Sequence, residues 1–114
     1  MTTRIDQWQE RIERIKNELL GLGEMRPGAL SEQYNVCGKP GCRCKDPKSP
    51  KKHGPYFQIS YTHMGRSTSE FVKKHLVAET RRQLKNYARF KKLTDEWVAL
   101  SVKIAKARKK NASG

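Results

Sequence analysis

Residues 56–72 read YFQISYTHMGRSTSEFV, a pattern that predicts two β-strands joined by a tight turn. Apolar and polar side chains alternate over 56–62, as they do in a strand with one buried and one solvated face. Gly65 can adopt the positive φ that a short hairpin turn requires. The returning strand covers 67–72, and we expect its Phe71 to join the buried face. In the first strand, that face is predicted to consist of Phe57, Ile59 and Tyr61.

Amphipathic helices are predicted on both sides of this hairpin. Near each end of the chain, apolar residues recur at intervals of three and four, which is the spacing of a helix that packs along one side. The segment 74–110 contains no glycine or proline and is rich in helix formers, so it predicts one long helix or two helices joined by a kink. The residues expected to pair the helices are Ile5, Trp8, Ile12, Ile15 and Leu19 in the first helix and Leu93, Trp97, Leu100 and Ile104 in the last.

The three cysteines all lie in the stretch CGKPGCRC, residues 37–44, and a lysine-rich loop follows that ends at His53. Three thiolates and one imidazole can close the tetrahedral shell of a structural zinc, with ligands about 2.0–2.3 Å from the metal. The intervening glycines and proline suit a backbone that turns tightly around an ion. We therefore expect Cys37, Cys42, Cys44 and His53 to hold a structural Zn²⁺.

Other interpretations of the cysteines stay open. His63 or His75 can replace His53 as the fourth ligand, and the single residue between Cys42 and Cys44 makes a cramped chelate. Free structural thiols, a disulfide with one cysteine left over and a reactive thiol are the alternatives to a metal. The odd number of cysteines and the lack of a secretory signal argue against a disulfide framework.

Together these segments predict an α+β fold. An amphipathic or coiled-coil helix (1–25) is followed by a metal-knuckle and β-hairpin unit (26–73), a long basic helix (74–110) and a short tail (111–114). Residues 31–36 have the composition of a short strand leading into the first cysteine. The two helices pair either antiparallel or as a dimeric coiled coil, and the sequence alone does not separate these arrangements.

The net charge of +14 is unevenly distributed along the 114 residues. Residues 1–38 have five basic and six acidic side chains, whereas residues 39–114 have twenty basic and five acidic ones. A cationic surplus of this size is typical of proteins that bind polyanions by releasing counterions from phosphates. Nucleic acid is the expected partner, with an anionic membrane or an acidic protein as alternatives. No segment approaches the length and apolarity of a membrane span, and we expect a cytoplasmic, nucleoid-associated protein.

The basic residues predicted to contact phosphate fall into two groups. On the last helix, positions 81, 85, 89 and 92 share one face, opposite the apolar one. A second group surrounds the cysteines and would clamp the nucleic-acid backbone without reading its sequence. The two groups are Arg81, Arg82, Lys85, Arg89 and Lys92 on the helix and Lys39, Arg43, Lys45, Lys51 and Lys52 in the loop.

The chain resembles a largely uncharacterised family of small bacterial, archaeal and phage proteins that are often encoded beside transposases or within mobile elements. The resemblance rests on RPGAL (26–30), CGKPGCRC (37–44), HGPY (53–56) and the hairpin and helix that follow. It implies a metal-binding accessory or regulatory protein of a mobile element.

The hairpin is also similar to the arm-binding domains of tyrosine integrases, in which a small sheet enters the major groove of DNA. Those domains need no metal, and their third strand is not obvious in this chain. The similarity implies that one strand face reads bases and that Arg66 reaches a guanine or a phosphate. The face is expected to comprise Tyr56, Gln58, Ser60 and Thr62, joined by Arg66 at the turn and Thr68 on the returning strand.

Catalysis has little support in the sequence, since no pair of carboxylates accompanies a histidine and no phosphate-binding glycine loop is present. We expect a non-catalytic accessory or regulatory protein that binds nucleic acid, with duplex DNA favoured. One alternative is a helical adaptor that binds a recombinase, a transposase or another protein partner, and a homodimer is a separate alternative for the helices. Another is an RNA-binding protein in which Tyr56, Tyr61 and His63 stack on unpaired bases.

Overall fold

The computed structural model describes residues 3–35, Gly41 and residues 53–112 of the chain. It is an α+β protein, as predicted, with a helix at each end and a three-stranded antiparallel sheet between them. The elements are α1 (Arg4–Leu20), β1 (Ala29–Asn35), β2 (His53–His63), β3 (Arg66–Val72) and α2 (Val77–Ala112), with a short 3₁₀ turn at Lys74–Leu76. No helix in the described part of the chain is both long and apolar enough to cross a membrane.

The chain divides into two compact units. The helical unit joins Met1–Met25 to Lys85–Gly114, and the sheet unit is Arg26–Leu84. The long helix α2 contributes residues to both units because it runs without interruption from Val77 to Ala112.

Helix α1 begins with a capping box. The hydroxyl of Thr3 accepts a hydrogen bond from the Asp6 backbone N–H at 3.1 Å, and the Asp6 carboxylate accepts one from the Thr3 backbone N–H at 3.1 Å. These two bonds satisfy amides that the first helical turn leaves without a partner. The pKa of Asp6 is lowered, first because the Thr3 backbone N–H donates to its ionised carboxylate and second because the Thr3 side chain also favours the ionised form.

The core of the helical unit lies between α1 and the C-terminal part of α2. Ile15 and Leu93 are fully buried at its centre. Contacts run in opposite chain directions, since Arg11 meets Glu96 whereas Glu18 meets Arg89, so the two helices are antiparallel within one chain. All nine residues expected to pair the helices lie in this cluster: Ile12, Ile15, Leu93, Leu100 and Ile104 are buried, and Ile5, Trp8, Leu19 and Trp97 pack around them together with Leu22.

The sheet has the strand order β1-β2-β3. Its inner face is centred on Ile59, which is fully buried. Helix α2 approaches this face at Arg81, whose guanidinium is 6.0 Å from the ring centroid of Phe57. The backbone N–H of Arg26 donates to the carbonyl of Gln83 at 3.3 Å, which ties the segment before β1 to the same helix.

Strands β2 and β3 are joined by a two-residue turn, Met64 and Gly65. Both residues have positive φ, at 51° and 78°. These are the signs of a type I′ turn, whose twist matches that of the flanking strands. The positive φ predicted for Gly65 is confirmed, while Met64 adopts a conformation that is unfavourable for a residue with a side chain.

Two glycines allow close backbone approaches within the sheet unit. A Cβ on Gly28 would lie 2.7 Å from the Ser60 carbonyl oxygen, and a Cβ on Gly54 would lie 2.7 Å from the Gln33 carbonyl oxygen. Their φ values, 130° and 139°, are also ones that residues with side chains rarely adopt. The peptide bond between Gly54 and Pro55 is cis. The glycines of the RPGAL and HGPY stretches are therefore required by the backbone geometry.

Two predictions about the faces of the sheet are wrong. Phe71 lies opposite Gln58 in the register, and Thr68 lies opposite Tyr61. Because directly opposed residues of an antiparallel pair share a face, Phe71 belongs to the outer face and Thr68 to the inner one. Phe71 is accordingly 72% exposed, and Val72 takes the inward position opposite Phe57.

Candidate nucleic-acid interface

The outer face of the sheet is polar, uncharged and largely exposed. The pairing register places ten residues on it, three from β1, four from β2 and three from β3. None of these ten described residues is charged, although 32% of the chain is. We call this surface the open face, and it comprises Ala29, Ser31, Gln33, Tyr56, Gln58, Ser60, Thr62, Ser67, Ser69 and Phe71.

Hydrogen bonds between strands hold the side chains of the open face in place. Gln33 donates from Nε2 to Oε1 of Gln58 at 2.8 Å. The hydroxyls of Ser60 and Ser69 are 3.1 Å apart, and the Thr62–Ser67 pair is 2.9 Å apart. In each pair, one hydroxyl hydrogen makes the bond between the two residues. The other hydrogen and the remaining oxygen lone pairs of that pair are available to a ligand. The face is thus an ordered array of amide and hydroxyl groups.

Two aromatic rings lie beside the amides on the same face. Tyr56 is 43% exposed and Phe71 is 72% exposed. Phe71 is directly opposite Gln58, and Tyr56 precedes Gln58 by two residues on the same strand. Their rings are therefore within reach of a ligand that touches the Gln58 amide.

Sequence reasoning found only part of this surface. It identified Gln58, Ser60 and Thr62 from the alternation within β2 but missed Gln33 and the partners on β1 and β3. The observed turn supplies the missing signal for β3: with only Met64 and Gly65 between the strands, His63 pairs with Arg66, which places Ser67, Ser69 and Phe71 on the face of Gln58. Arg66 is exposed at the end of the hairpin, but it pairs with His63 and so belongs to the inner side of the sheet and does not join the open face as expected.

The predicted cationic residues of α2 have different surroundings. Arg81 and Arg82 are both exposed, and the Arg81 guanidinium lies 6.0 Å from the ring centroid of Phe57. In the helical unit, Lys85 and Lys92 are exposed, while Arg89 donates to the Glu18 carboxylate at 2.9 Å. Arg89 would have to exchange this carboxylate for a phosphate in order to act as predicted.

Most of the predicted metal site lies outside the described residues. This applies to Cys37, Cys42 and Cys44, and equally to the basic residues Lys39, Arg43, Lys45, Lys51 and Lys52. Within the described ranges, no group of three or more His, Cys, Asp or Glu side chains could hold a metal. His53 is the first residue of β2 and pairs with Asn35 at the end of β1, whereas His63 ends the same strand and His75 lies in the 3₁₀ turn.

The fold and the open face define a small α+β protein with an uncharged polar sheet surface. The chain belongs to the family described as a domain of unknown function (DUF6788), which matches residues 5–82. That match spans α1, the whole sheet and the start of α2. Searches of curated proteins and of solved structures returned no match.

Proposed function

We propose that this protein is a non-catalytic nucleic-acid-binding protein whose open face enters the major groove of duplex DNA. The observation that carries the proposal is the absence of charge from the ten described residues of that face in a chain with a net charge of +14. Amide and hydroxyl groups hydrogen-bond to base edges in the groove, while contacts to the phosphates position the protein on the duplex.

An ordinary solvated sheet face gives a poorer account of this surface. Exposed sheets commonly use lysine or glutamate to remain soluble and to prevent pairing with other chains. The open face instead presents Phe71 and Tyr56 to solvent without any charge nearby on the same face. Three strands at about 4.8 Å spacing are about 10 Å across, which fits a major groove about 12 Å wide.

The basic residues supply the affinity that is independent of sequence. In the sheet unit, Arg66, Lys73 and Lys74 are exposed at the two ends of β3. The five lysines and one arginine of residues 39–52 add further positive charge in the part of the sequence that precedes β2. Contacts from these groups to phosphates would position the sheet and make binding strongly dependent on salt.

We further propose a structural zinc held by Cys37, Cys42, Cys44 and His53. The pairing of Asn35 with His53 supports this ligand set, because Cys37 follows Asn35 by two residues and the chain between them spans at most about 7 Å. His63 is at the far end of β2, about 33 Å from His53 at 3.3 Å per residue, and is therefore a poor alternative for a shell that includes Cys37.

The biological setting in this proposal is an accessory or regulatory role in a mobile genetic element, in the cytoplasm at the nucleoid. It is supported by the stretches RPGAL, CGKPGCRC and HGPY and by the basic character of the chain. A transposase or recombinase would act on the same DNA.

The test is fluorescence anisotropy with labelled duplex DNA, single-stranded DNA and duplex RNA over a salt series. We expect the tightest binding to duplex DNA, with a steep dependence on salt. Ser60→Glu places a charge at the centre of the open face and should weaken duplex binding at least tenfold. Ser101→Glu makes the same change on an exposed position of α2 and should weaken it by only a few fold. Equal effects of the two variants would contradict binding through the open face.

A second candidate function is an adaptor that binds a recombinase or transposase through α2. It is favoured by Val98 and Val102, which are 62% and 47% exposed beside Trp97 on a helix otherwise rich in charge. Val98→Glu should leave DNA binding unchanged and abolish binding to a purified recombinase or transposase if this function is correct. Weak binding to all three nucleic acids at physiological salt would favour the adaptor. Tighter binding to RNA or to single-stranded DNA than to duplex DNA would identify that nucleic acid as the ligand instead.

A further inference from the structure

We infer that Gln58 is the residue of the open face that reads adenine, that Gln33 positions its amide, and that Phe71 contacts the methyl group of a neighbouring thymine. This inference rests on the proposed binding of duplex DNA and adds a sequence preference to it. It makes an A·T base pair the preferred target at the centre of the sheet.

Gln58 lies in the central strand and has one important neighbour on each of the two flanking strands. Gln33 of β1 donates from Nε2 to the Gln58 Oε1 at 2.8 Å, and Phe71 of β3 is directly opposite in the register. The hydroxyl of Ser31 donates to the Gln58 backbone carbonyl at 3.3 Å. The side chain and the backbone of Gln58 are therefore both tied to β1.

The bond from Gln33 leaves a defined set of groups on the Gln58 amide. A carboxamide oxygen has two lone pairs, and Gln33 uses one of them, so Gln58 retains one acceptor site on Oε1 and two donors on Nε2. An acceptor beside a donor complements the major-groove edge of adenine, which offers the N6 amino hydrogens and the N7 acceptor. Guanine presents two acceptors there, so its O6 would face the Gln58 oxygen and be disfavoured.

Gln33 acts as a positioning residue in this arrangement. A free glutamine amide can rotate about its terminal bond and exchange the places of its oxygen and nitrogen. The hydrogen bond from Gln33 restrains the Gln58 amide, with Oε1 toward β1 and Nε2 away from that donor. Part of the cost of ordering the amide is thus met in the free protein, before DNA binds.

Phe71 supplies the apolar part of the site. It is 72% exposed and directly opposite Gln58 in the register, so its ring is accessible to a ligand that touches Gln58. The only apolar group in the major groove is the C5-methyl of thymine. A ring beside an adenine-reading amide is therefore suited to the thymine of the same or the adjacent base pair.

The experiment begins with selection from a randomised duplex DNA library, followed by anisotropy on the selected site and single-position derivatives. Replacing the read A·T pair with G·C should weaken wild-type binding about tenfold or more. Replacing that adenine with 7-deazaadenine, which lacks the N7 acceptor, or the thymine with uracil, which lacks the methyl, should each weaken it several fold. Salt slopes should be the same for all these duplexes, since the phosphate contacts do not change.

The variants assign each effect to a residue. Gln58→Ala should bind the A·T and G·C duplexes equally and be insensitive to 7-deazaadenine, while keeping the wild-type salt slope. For Gln33→Leu, 7-deazaadenine should cause much less loss of affinity than it does for wild type. For Phe71→Ala, uracil should cause no loss of affinity, while 7-deazaadenine should weaken binding as it does for wild type. Gln9→Ala, an exposed glutamine of α1, is the matched control and should behave as wild type. Circular dichroism and thermal unfolding of each variant exclude loss of fold as the cause.

The outcomes separate this inference from the proposed function. Duplex binding without a base preference, or with a preference that Gln58→Ala retains, overturns the adenine site while the proposed function stands. A failure to bind any duplex overturns both.

Discussion

Arg11 and Glu96 form a two-point ion pair between the helices of the helical unit. Arg11 donates from Nε to Oε2 of Glu96 at 2.6 Å and from Nη2 to Oε1 at 2.9 Å. Both side chains are about one-third exposed. The hydrogen bonds from Arg11 are the main cause that lowers the pKa of Glu96, and the carboxylate in turn raises the pKa of Arg11.

Replacing Glu96 with glutamine should lower the stability of the helical unit in a pH-dependent way. Because folding lowers the pKa of Glu96 from its ordinary value of 4.5, the ionised carboxylate stabilises the fold above that pH, and this contribution is lost as the pH falls through the lower folded-state value. Urea titrations of wild type and Glu96→Gln should differ most near pH 7 and converge in acid. The Asp6 carboxylate is present in both proteins, so its contribution to the pH dependence cancels in the difference between their stabilities. A difference that stays constant down to acid pH would contradict the ion-pair account.

Gly28→Ala should destabilise the sheet unit by about 1–3 kcal/mol, because its φ of 130° is unfavourable for alanine and its Cβ would meet the Ser60 carbonyl oxygen at 2.7 Å. The matched control is Gly21→Ala, where φ is −84° and the nearest atom is 3.5 Å away. That control should change stability by less than about 0.5 kcal/mol. Chemical denaturation followed by circular dichroism measures both, and equal effects would show that the close approach is not required.

Met64→Asn should stabilise the hairpin by about 0.5–1 kcal/mol, because asparagine tolerates the left-handed conformation better than methionine and Asn-Gly favours the type I′ turn. The methionine side chain is 90% exposed, so the change removes little packing. Met64→Ala removes the same apolar surface without relieving the backbone and should give no gain. Thermal unfolding of wild type and the two variants measures the gain in stability. An equal gain for Met64→Ala would show that removing the methionine side chain, and not relieving the backbone, causes the stabilisation.

The proposed zinc predicts about one zinc ion per chain when protein purified without chelator under reducing conditions is analysed for metal. His53→Ala should weaken zinc binding in competition with a chromophoric chelator, because it removes one ligand. His63→Ala changes the same residue type at the other end of β2 and should bind zinc as wild type does. Wild-type protein that contains no zinc would rule out the metal site.

The helices and the hairpin follow from the sequence because their patterns are local. The three- and four-residue spacing around Ile15 and Leu93 identified the residues that meet in the helical core. The inward position of Ile59 follows from alternation within one strand. The wrong face for Phe71 came from treating it as apolar and therefore inward, whereas the register across the Met64–Gly65 turn places it opposite Gln58.

The surface formed by β1 was harder to predict because it depends on contacts between distant residues. The strand reads ALSEQYN and has little apolar alternation, since only Leu30 is available to face Ile59. Its place beside β2 depends on the close approaches at Gly28 and Gly54. The bond from Gln33 to Gln58 joins residues 25 positions apart, so no local pattern indicates it.

The unequal connections within the sheet have a consequence for how the protein folds. Only Met64 and Gly65 separate β2 from β3, whereas residues 36–52 separate β1 from β2. Loop closure costs more entropy over a longer segment, and local contacts form sooner, so the β2–β3 hairpin should assemble before β1 docks. Until then the backbone groups of one β2 edge are unpaired and can capture the same edge of another chain. The long 36–52 connection therefore extends the interval during which a newly made chain is exposed to aggregation.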